Sequence, residues 1–169
     1  GGTIDKLESI PGFRVNLSRE EFIQQLNTVG VAIISQTAHL APLDKKVYAL
    51  RDVTGTVESI PLIASSIMSK KIASGADKIV LDVKVGKGAL LKTQEEAIEI
   101  SRLMKKIGHH YQKDVDTMIT YMDIPLGTSI GNALEILEVM RILSNEENNY
   151  LVALSKALAA KMVQLGLGI

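Results

Sequence analysis

The 169-residue chain contains 46% hydrophobic and 22% charged residues, a composition that supports a packed globular core. Its 19 basic and 19 acidic side chains balance, and the basic residues are spread along the chain, so we expect no nucleic-acid partner. No cysteine is present, which excludes disulfides, thiol catalysis and cysteine-ligated metal, and makes the cytoplasm the expected location.

The N-terminus has no charged segment followed by an apolar one, which argues against a signal peptide. Apolar runs such as 31–34 and 79–81 are far shorter than the roughly 20 residues needed to cross a bilayer, so we expect no membrane partner. The first residue is Gly1 rather than methionine, and we therefore expect the chain to be a piece of a longer protein.

The first predicted elements are a helix and a strand. Ser18 and Glu21 have the spacing of a capping box, which predicts a helix that continues to about Val29. Gly30 suits the position after a helix end, and the short apolar run 31–34 is typical of a buried parallel strand.

Two helices are predicted next, without a strand between them. The first begins at Pro42 and carries Val47, Leu50 and Val53 on one face. The second follows Pro61 and continues to residue 72. Together they form a helical insert.

The alternation of strands and helices then resumes. Residues 78–83 are predicted as a second buried strand, and the capping box of Thr93 and Glu96 opens a helix that ends near Gly108. The remaining predicted elements are a third strand over 116–121 and helices over about 132–143 and 147–165.

Strands joined by long helices predict an α/β fold, a parallel sheet with crossover helices that is interrupted by an inserted helical segment. In open parallel sheets, ligands bind beyond the carboxyl ends of the strands. The loops after Ile34, Asp82 and Tyr121 are therefore candidate ligand sites.

The helical insert carries polar residues that can bind an acceptor ligand. Ser66 and Lys70 are four residues apart, so a hydroxyl and an ammonium project from one helix face. Arg51 lies near the end of the preceding helix, and helices joined by a short connection are normally antiparallel neighbours. Exposed polar positions on amphipathic helices have the same pattern, so the sequence alone leaves both interpretations open.

Two other features carry weaker signals. The glycine-rich segment 85–88 fits a phosphate-cradling turn, but a plain tight turn is the commoner structure for such a segment. The histidines His39, His109 and His110 have no partner at metal or triad spacing, and we assign them no role.

Several segments are more distinctive. The longest are GGTIDKLESIPGF at 1–13, YALRDVT at 48–54 and SIPLIASSIMSKK at 59–71. Shorter ones lie at 36–37, 40–42, 44–46, 75–77, 81–84, 125–127 and 131–135. Together they closely resemble the thymidine and pyrimidine nucleoside phosphorylase family over residues 1 to about 143, leaving only the tail unmatched.

Members of that family cleave pyrimidine nucleosides with inorganic phosphate, which gives the free base and ribose or deoxyribose 1-phosphate. The resemblance implies that Arg51 and Lys70 contact the base carbonyl oxygens and stabilise the charge of the departing base. It also implies that Ser66 contacts the base N3, that Tyr48 lines the pocket and that Thr3 touches phosphate.

The resemblance further implies how the chain divides. Residues 1–41 and 75–169 belong to an α/β domain that binds phosphate and sugar, and residues 42–74 belong to a smaller α domain that binds the base. No organic cofactor is expected. Some bacterial relatives hold a potassium ion through backbone oxygens and one glutamate, and the matching positions are Leu126, Ser129 and Glu138.

Family members carry, upstream of the position of Gly1, a glycine-rich loop with a lysine and a histidine that this chain lacks. We therefore predict that the isolated chain is inactive. The resemblance also implies that the longer parent is a homodimer. Two alternatives stay open: an anthranilate-type phosphoribosyltransferase, which uses magnesium, and a non-catalytic assembly module. The preference for thymidine or uridine and the role of residues 144–169 are not determined by the sequence.

Overall fold

The structure, a computed structural model, describes residues 2–35 and 41–169, with the backbone alone of Lys45. Within these ranges it contains a two-stranded parallel sheet and seven helices, which confirms the predicted α/β class. In chain order the elements are α1 Thr3–Leu7, α2 Arg19–Val29, α3 Pro42–Thr54, α4 Ile60–Ala73, β1 Lys78–Val85, α5 Gln94–His110, β2 Asp114–Tyr121, α6 Asn132–Leu143 and α7 Tyr150–Leu167.

The chain forms two compact units, one of residues 1–37 and 127–152 and the other of residues 38–126 and 153–169. In the second unit, α4 packs directly against α5. The assignment of residues 42–74 to a separate α domain stays a prediction.

In the first unit, the predicted capping box of α2 is confirmed. The Ser18 hydroxyl accepts the Glu21 N–H at 3.2 Å, and the Glu21 carboxylate accepts the Ser18 N–H at 2.8 Å. Gly30 ends the helix with a φ of 84°, a left-handed conformation that favours glycine. Local signals alone fix both ends of this helix.

The predicted strand at 31–34 is wrong. Val31 is 59% exposed and Ile33 is 49% exposed, and in the described part of the chain these residues pair with no strand. The segment is held at its end by the Ser35 N–H, which donates to the Val15 carbonyl at 2.8 Å. An apolar run forms a strand only where a neighbouring strand satisfies its backbone groups, and sequence pattern does not supply that neighbour.

The core of the second unit lies between one face of β1 and the helices α4 and α5. β1 and β2 are parallel, with Lys78 opposite Asp114 and Val85 opposite Tyr121. Burying each large apolar side chain stabilises the fold by roughly 1.5–3 kcal/mol, so this core anchors α4. Its buried residues are Ile63, Ala64, Met68, Ile79, Leu81, Val83, Val85, Leu91, Ala97, Ile100 and Met104.

The apolar face predicted for α3 is not buried. Val47, Leu50 and Val53 are all exposed, and Arg51 is the one residue that is buried as a whole among those whose side chains are described in α3. Helix α3 contacts α4, and the contact includes polar groups that form the candidate site described below.

Gly108 allows α5 to approach β2 closely. A Cβ atom at this position would lie 2.1 Å from Val115 Cγ2, which is far inside van der Waals contact. We expect Gly108→Ala to destabilise the protein by about 1–3 kcal/mol, because the helix must shift away from the strand. Urea denaturation followed by circular dichroism measures this change.

Gly166→Ala is the matched control for Gly108→Ala. Gly166 also lies in a helix, but a Cβ atom there would meet nothing within 4 Å. We expect this variant to be neutral or to stabilise the protein by up to about 1 kcal/mol, because alanine favours helix more than glycine does. Equal unfolding free energies for the two variants would contradict the close approach of α5 and β2.

Helix α7 is long and apolar enough, by length and composition alone, to cross a membrane. Lys156 and Lys161 interrupt its apolar sequence. The helix was therefore not among the continuous apolar runs that were too short to cross a membrane. In the second unit this helix contacts the sheet through two lysines. Lys161 pairs with Asp116 at 2.7 Å, and Lys78 donates to the Leu165 carbonyl at 2.7 Å.

Asp116 of β2 joins three elements, because its carboxylate also pairs with Lys105 of α5 at 2.9 Å. Hydrogen bonds from Lys161 and Lys105 outweigh the effect of burial and hold the pKa of Asp116 far below its usual range. A carboxyl whose folded-state pKa is depressed adds stability above its unfolded-state pKa of about 3.9, and that stability is lost as the pH falls.

We therefore expect the unfolding free energy to fall on acidification in a way that depends on Asp116. Between about pH 7 and about pH 3, the unfolding free energy of the wild type should fall by about 1 kcal/mol more than that of Asp116→Asn. This value allows for partial screening of the ion pairs by solvent. Asp114→Asn, an exposed position on the same strand, is the control. Chemical denaturation at both pH values measures the difference, and parallel losses in wild type and Asp116→Asn would contradict it.

Candidate functional site

A cluster of polar side chains lies between α3 and α4. The Lys70 ammonium is 2.6 Å from Asp44 Oδ2, 3.1 Å from Ser66 Oγ and 3.4 Å from the Ser66 carbonyl oxygen. Asp44 belongs to α3, and Ser66 and Lys70 belong to consecutive turns of α4. The spacing of four residues therefore places the hydroxyl and the ammonium side by side, as predicted for one helix face.

The Asp44 carboxylate is ionised in this cluster. Its side chain is 9% exposed, and burial by itself raises the pKa. The hydrogen bond from Lys70, with the positive charges of Lys70 and Arg51, outweighs burial and lowers the pKa of Asp44. The cluster thus pairs one carboxylate with Lys70, and the charge of Arg51 acts on that carboxylate as well.

Arg51 is 3% exposed and fixes the connection between α3 and α4. Its Nε donates to the Thr56 carbonyl at 3.2 Å, Nη1 donates to the Leu62 carbonyl at 3.4 Å, and Nη2 donates to the Val57 carbonyl. A guanidinium has five N–H groups, so two are left for another acceptor. The sequence did not reveal this role, because backbone carbonyls carry no residue signature.

Tyr48 lies beside Arg51, one turn earlier in α3. The Arg51 Cζ is 5.4 Å from the centroid of the Tyr48 ring, which is within the range of a cation–π contact. Tyr48 is 48% exposed, so its ring covers the guanidinium and still presents a surface to a ligand.

Asp44 was not among the candidate residues taken from the sequence, although a signal for it exists. It precedes Arg51 by seven residues, which is close to two helical turns and places both residues on similar faces of α3. Because a cation that is taken out of water needs a partner of opposite charge, a carboxylate on the same side of α3 as Arg51 is the expected partner of a cation on α4.

The other predicted site residues lie elsewhere. Thr3 is exposed at the start of α1 and belongs to the first compact unit, whereas Tyr48, Arg51, Ser66 and Lys70 belong to the second. Residues 36–40 lie outside the described residues. They include His39, the matched segment 36–37 and the first residue of the matched segment 40–42. His110 makes an edge contact with the Tyr111 ring at a centroid distance of 5.1 Å.

The glycine-rich turn after β1 is closed by the protein itself. The Lys87 N–H donates to Asp123 Oδ1 at 2.9 Å, and the Gly88 N–H donates to the Met122 carbonyl at 2.9 Å. A Cβ atom at Gly86 would lie 2.7 Å from Asp123 Oδ1. A carboxylate from the loop after β2 therefore takes the position that a phosphate would need, and the plain-turn interpretation is favoured.

Glu138 is 2% exposed and fixes the loop that precedes α6. Its Oε1 accepts the Thr128 N–H at 2.8 Å and the Thr128 hydroxyl at 3.1 Å, and Oε2 accepts the Ser129 N–H at 2.9 Å. These backbone hydrogen bonds lower the pKa of Glu138 despite its burial. Among the described residues, no group of three or more His, Cys, Asp and Glu side chains is arranged to hold a metal.

Comparison with known proteins extends the similarity along nearly the whole chain. Residues 1–166 match the glycosyl transferase family, a/b domain. The chain is 55% identical over 165 residues to the pyrimidine-nucleoside phosphorylase of Bacillus subtilis (strain 168). It is 54% identical to the enzyme of the same name from Staphylococcus haemolyticus (strain JCSC1435) over the same length.

Each of these matches covers 98% of this chain but 38% of the relative, so the chain spans well under half the length of the curated relatives. The expected end of the resemblance near residue 143 is wrong, since the family match continues to residue 166. The tail is the apolar helix α7, in which one aliphatic residue replaces another readily, and it therefore carries no motif that stands out in a single sequence.

Proposed function

Because this chain belongs to the glycosyl transferase family, we propose that it forms the base-binding part of a pyrimidine nucleoside phosphorylase. One observation carries the proposal. Arg51, Ser66 and Lys70 occupy two packed helices, with the Lys70 ammonium held 2.6 Å from Asp44, in a chain whose relatives have that enzyme name. The phosphoribosyltransferase and the assembly module are not favoured.

The chemistry of the cluster supports this role. When phosphate displaces a pyrimidine from the sugar, negative charge develops on the departing base. The two free N–H groups of Arg51 and the Lys70 ammonium interact more strongly with the negatively charged base than with the neutral substrate. This difference lowers the free-energy barrier of the reaction. Ser66 contacts the base N3, and the Tyr48 ring lines the pocket.

The fixed geometry strengthens the effect. Arg51 is held by three backbone carbonyls and Lys70 by Asp44 and Ser66, so neither cation must reorganise as the charge develops. In this proposal, Thr3 contacts inorganic phosphate, and no organic cofactor takes part.

A potassium site at Leu126, Ser129 and Glu138 also stays a proposal. Three of the roughly four lone-pair sites of the Glu138 carboxylate already accept N–H or O–H donors. One site is left, so Glu138 can contribute at most one oxygen, with the backbone carbonyls of Leu126 and Ser129 supplying the others. A melting temperature that rises in potassium but not in sodium chloride would support such a site.

A chimeric enzyme tests the function. The 165 residues of this chain that match the Bacillus subtilis relative replace the corresponding segment of that relative, and this protein is called the chimera below. We expect phosphate-dependent release of uracil from uridine or thymine from thymidine by the chimera. The purified 169-residue chain alone should release neither base.

The unmodified Bacillus subtilis protein and the chimera without phosphate are the controls. A folded chimera that releases no base, beside an active parent, would overturn the proposal. A requirement for magnesium and a pyrophosphate donor would favour the phosphoribosyltransferase. A homodimeric parent, a cytoplasmic location, and the absence of nucleic-acid or membrane partners stay predictions.

A further inference from the structure

Two charged side chains interrupt the apolar sequence of β1. Asp82 and Lys84 are two residues apart, so they lie on the same face of the sheet, opposite the face that forms the core. Strands of parallel sheets are normally near-continuous apolar runs, and replacing a shielded ion pair by apolar residues is often neutral or stabilising. Stability alone therefore does not account for this pair.

The two side chains form a triangle with Thr120 of β2, which lies directly opposite Lys84 in the register. The Lys84 ammonium is 2.8 Å from Asp82 Oδ2 and donates to Thr120 Oγ1 at 2.9 Å. The Thr120 hydroxyl donates to Asp82 Oδ1. Thr120 is buried, whereas the side chains of Asp82 and Lys84 are each 24% exposed. The triangle thus holds both charged groups in place and leaves them accessible to a ligand.

Each charged group keeps hydrogen-bonding capacity. An ammonium has three N–H donors, and Lys84 uses two of them within the described residues. A carboxylate has about four lone-pair sites, and Asp82 uses two in the same part of the chain. A donor and acceptors therefore lie side by side, which fits a hydroxyl, because a hydroxyl both donates and accepts. A phosphate carries negative charge, so the adjacent Asp82 carboxylate would repel it.

The triangle lies near the carboxyl end of the sheet, where ligands of parallel sheets bind. Lys84 is the penultimate residue of β1, and the loop that follows reaches the connection between α3 and α4. Leu90 of that loop lines one small cavity with Ile60 and Ile63 of α4. Arg51 is hydrogen-bonded to the same connection. The carboxyl end of β1 therefore adjoins the helices that carry the base-binding cluster.

We propose that Asp82 and Lys84 bind a hydroxyl group of the pentose. This inference rests on the proposed function, in which Arg51 and Lys70 bind the base and no residue has yet been assigned to the sugar. The Lys84 ammonium donates to the hydroxyl oxygen, and the hydroxyl donates its proton to the Asp82 carboxylate. Thr120 is a positioning residue that holds the two charged groups together.

The test measures how the chimera binds three ligands. Uracil and ribose 1-phosphate are used as inhibitors of uridine phosphorolysis, and inorganic phosphate is the co-substrate. In Lys84→Met, we expect the inhibition constant of ribose 1-phosphate to rise about ten- to hundredfold, the loss typical of one hydrogen bond to a charged group. The inhibition constant of uracil and the KM of phosphate should stay within about twofold of the wild type, because neither ligand carries a pentose hydroxyl.

Two further variants make the result specific. Asp82→Asn keeps the size of the side chain but loses the charge that accepts from the hydroxyl, and it should raise the same inhibition constant about tenfold. Lys113→Met is the matched control. Lys113 and Asp77 directly precede β2 and β1 and pair at 2.7 Å, so this variant removes an ion pair that joins the same two strands at the amino end of the sheet. It should leave all three constants unaltered.

Three results overturn the inference. An unchanged inhibition constant of ribose 1-phosphate in folded Lys84→Met excludes a contact between Lys84 and the sugar. Equal weakening of all three ligands shows a merely structural role of the triangle. Equal rises for ribose 1-phosphate and inorganic phosphate place Lys84 at the phosphate group rather than at a hydroxyl.

Chemical acetylation of the unmodified chimera decides the question if the variants do not fold. Ribose 1-phosphate should protect Lys84 from acetic anhydride, as measured by mass spectrometry of the digested protein, whereas uracil and inorganic phosphate should not. Absence of protection, or equal protection by all three ligands, overturns the inference. Failure of the proposed function has a different signature, since the chimera would then release no base from uridine.

Discussion

Lys70→Ala should reduce kcat/KM of the chimera for uridine by about 10²–10³, the loss typical of one preorganised donor to a developing charge. The fall should appear mainly in kcat, because the interaction strengthens as the base acquires charge. A second contribution comes from Asp44, which lies 2.6 Å from the lysine and would be left as an unpaired carboxylate beside a departing anion.

Lys71→Ala is the matched control for Lys70→Ala. Lys71 is the next residue of α4 and is exposed, so its removal changes the net charge by the same amount without touching the cluster. We expect its kcat/KM to stay within about twofold of the wild type, as for most surface substitutions. Similar losses of kcat/KM in the two variants, or a loss below about fivefold in Lys70→Ala, would show that Lys70 takes no part in catalysis.

The second large effect concerns stability. Glu138→Gln should destabilise the first compact unit by about 2–3 kcal/mol, because a buried charged acceptor of three hydrogen bonds is replaced by a neutral amide. Only one amide oxygen can replace the two carboxylate oxygens, so the amide NH₂ would face either the Thr128 N–H or the Ser129 N–H. Hydrogen exchange of amides 127–143 measures the loss directly.

Glu135→Gln in the same helix is the control for Glu138→Gln. The Glu135 side chain is 32% exposed and pairs with Lys6, so its loss should cost under about 1 kcal/mol. Equal exchange protection in the two variants would show that the Glu138 carboxylate does not hold the loop in place.

Local sequence signals predicted most elements of the fold. The capping boxes of Ser18 with Glu21 and of Thr93 with Glu96 each close as expected. The apolar alternation of β1 places its buried residues on one face, and the predicted bounds of α6 agree with the structure. These signals depend on contacts within a few residues, so a single sequence contains all the information they need.

The errors involve partners that are distant along the chain. The segment 31–34 has the composition of a strand but pairs with no strand in the described residues. The apolar side of α3 is exposed while the cation Arg51 is buried. One error is local instead: helix α7 begins at Tyr150, three residues later than predicted, where the Asn149 side chain accepts the Val152 N–H at 3.0 Å.

The sequence by itself determined the α/β alternation, the ends of most helices and, through a family resemblance, the choice of Arg51, Ser66 and Lys70. Only the tertiary structure decided what these side chains contact. It places the Arg51 donors on three backbone carbonyls and brings Asp44 from the preceding helix to Lys70. The physical reason is that capping and periodicity act over a few residues, whereas the partner of a guanidinium or an ammonium can come from a separate helix or from the connection between helices.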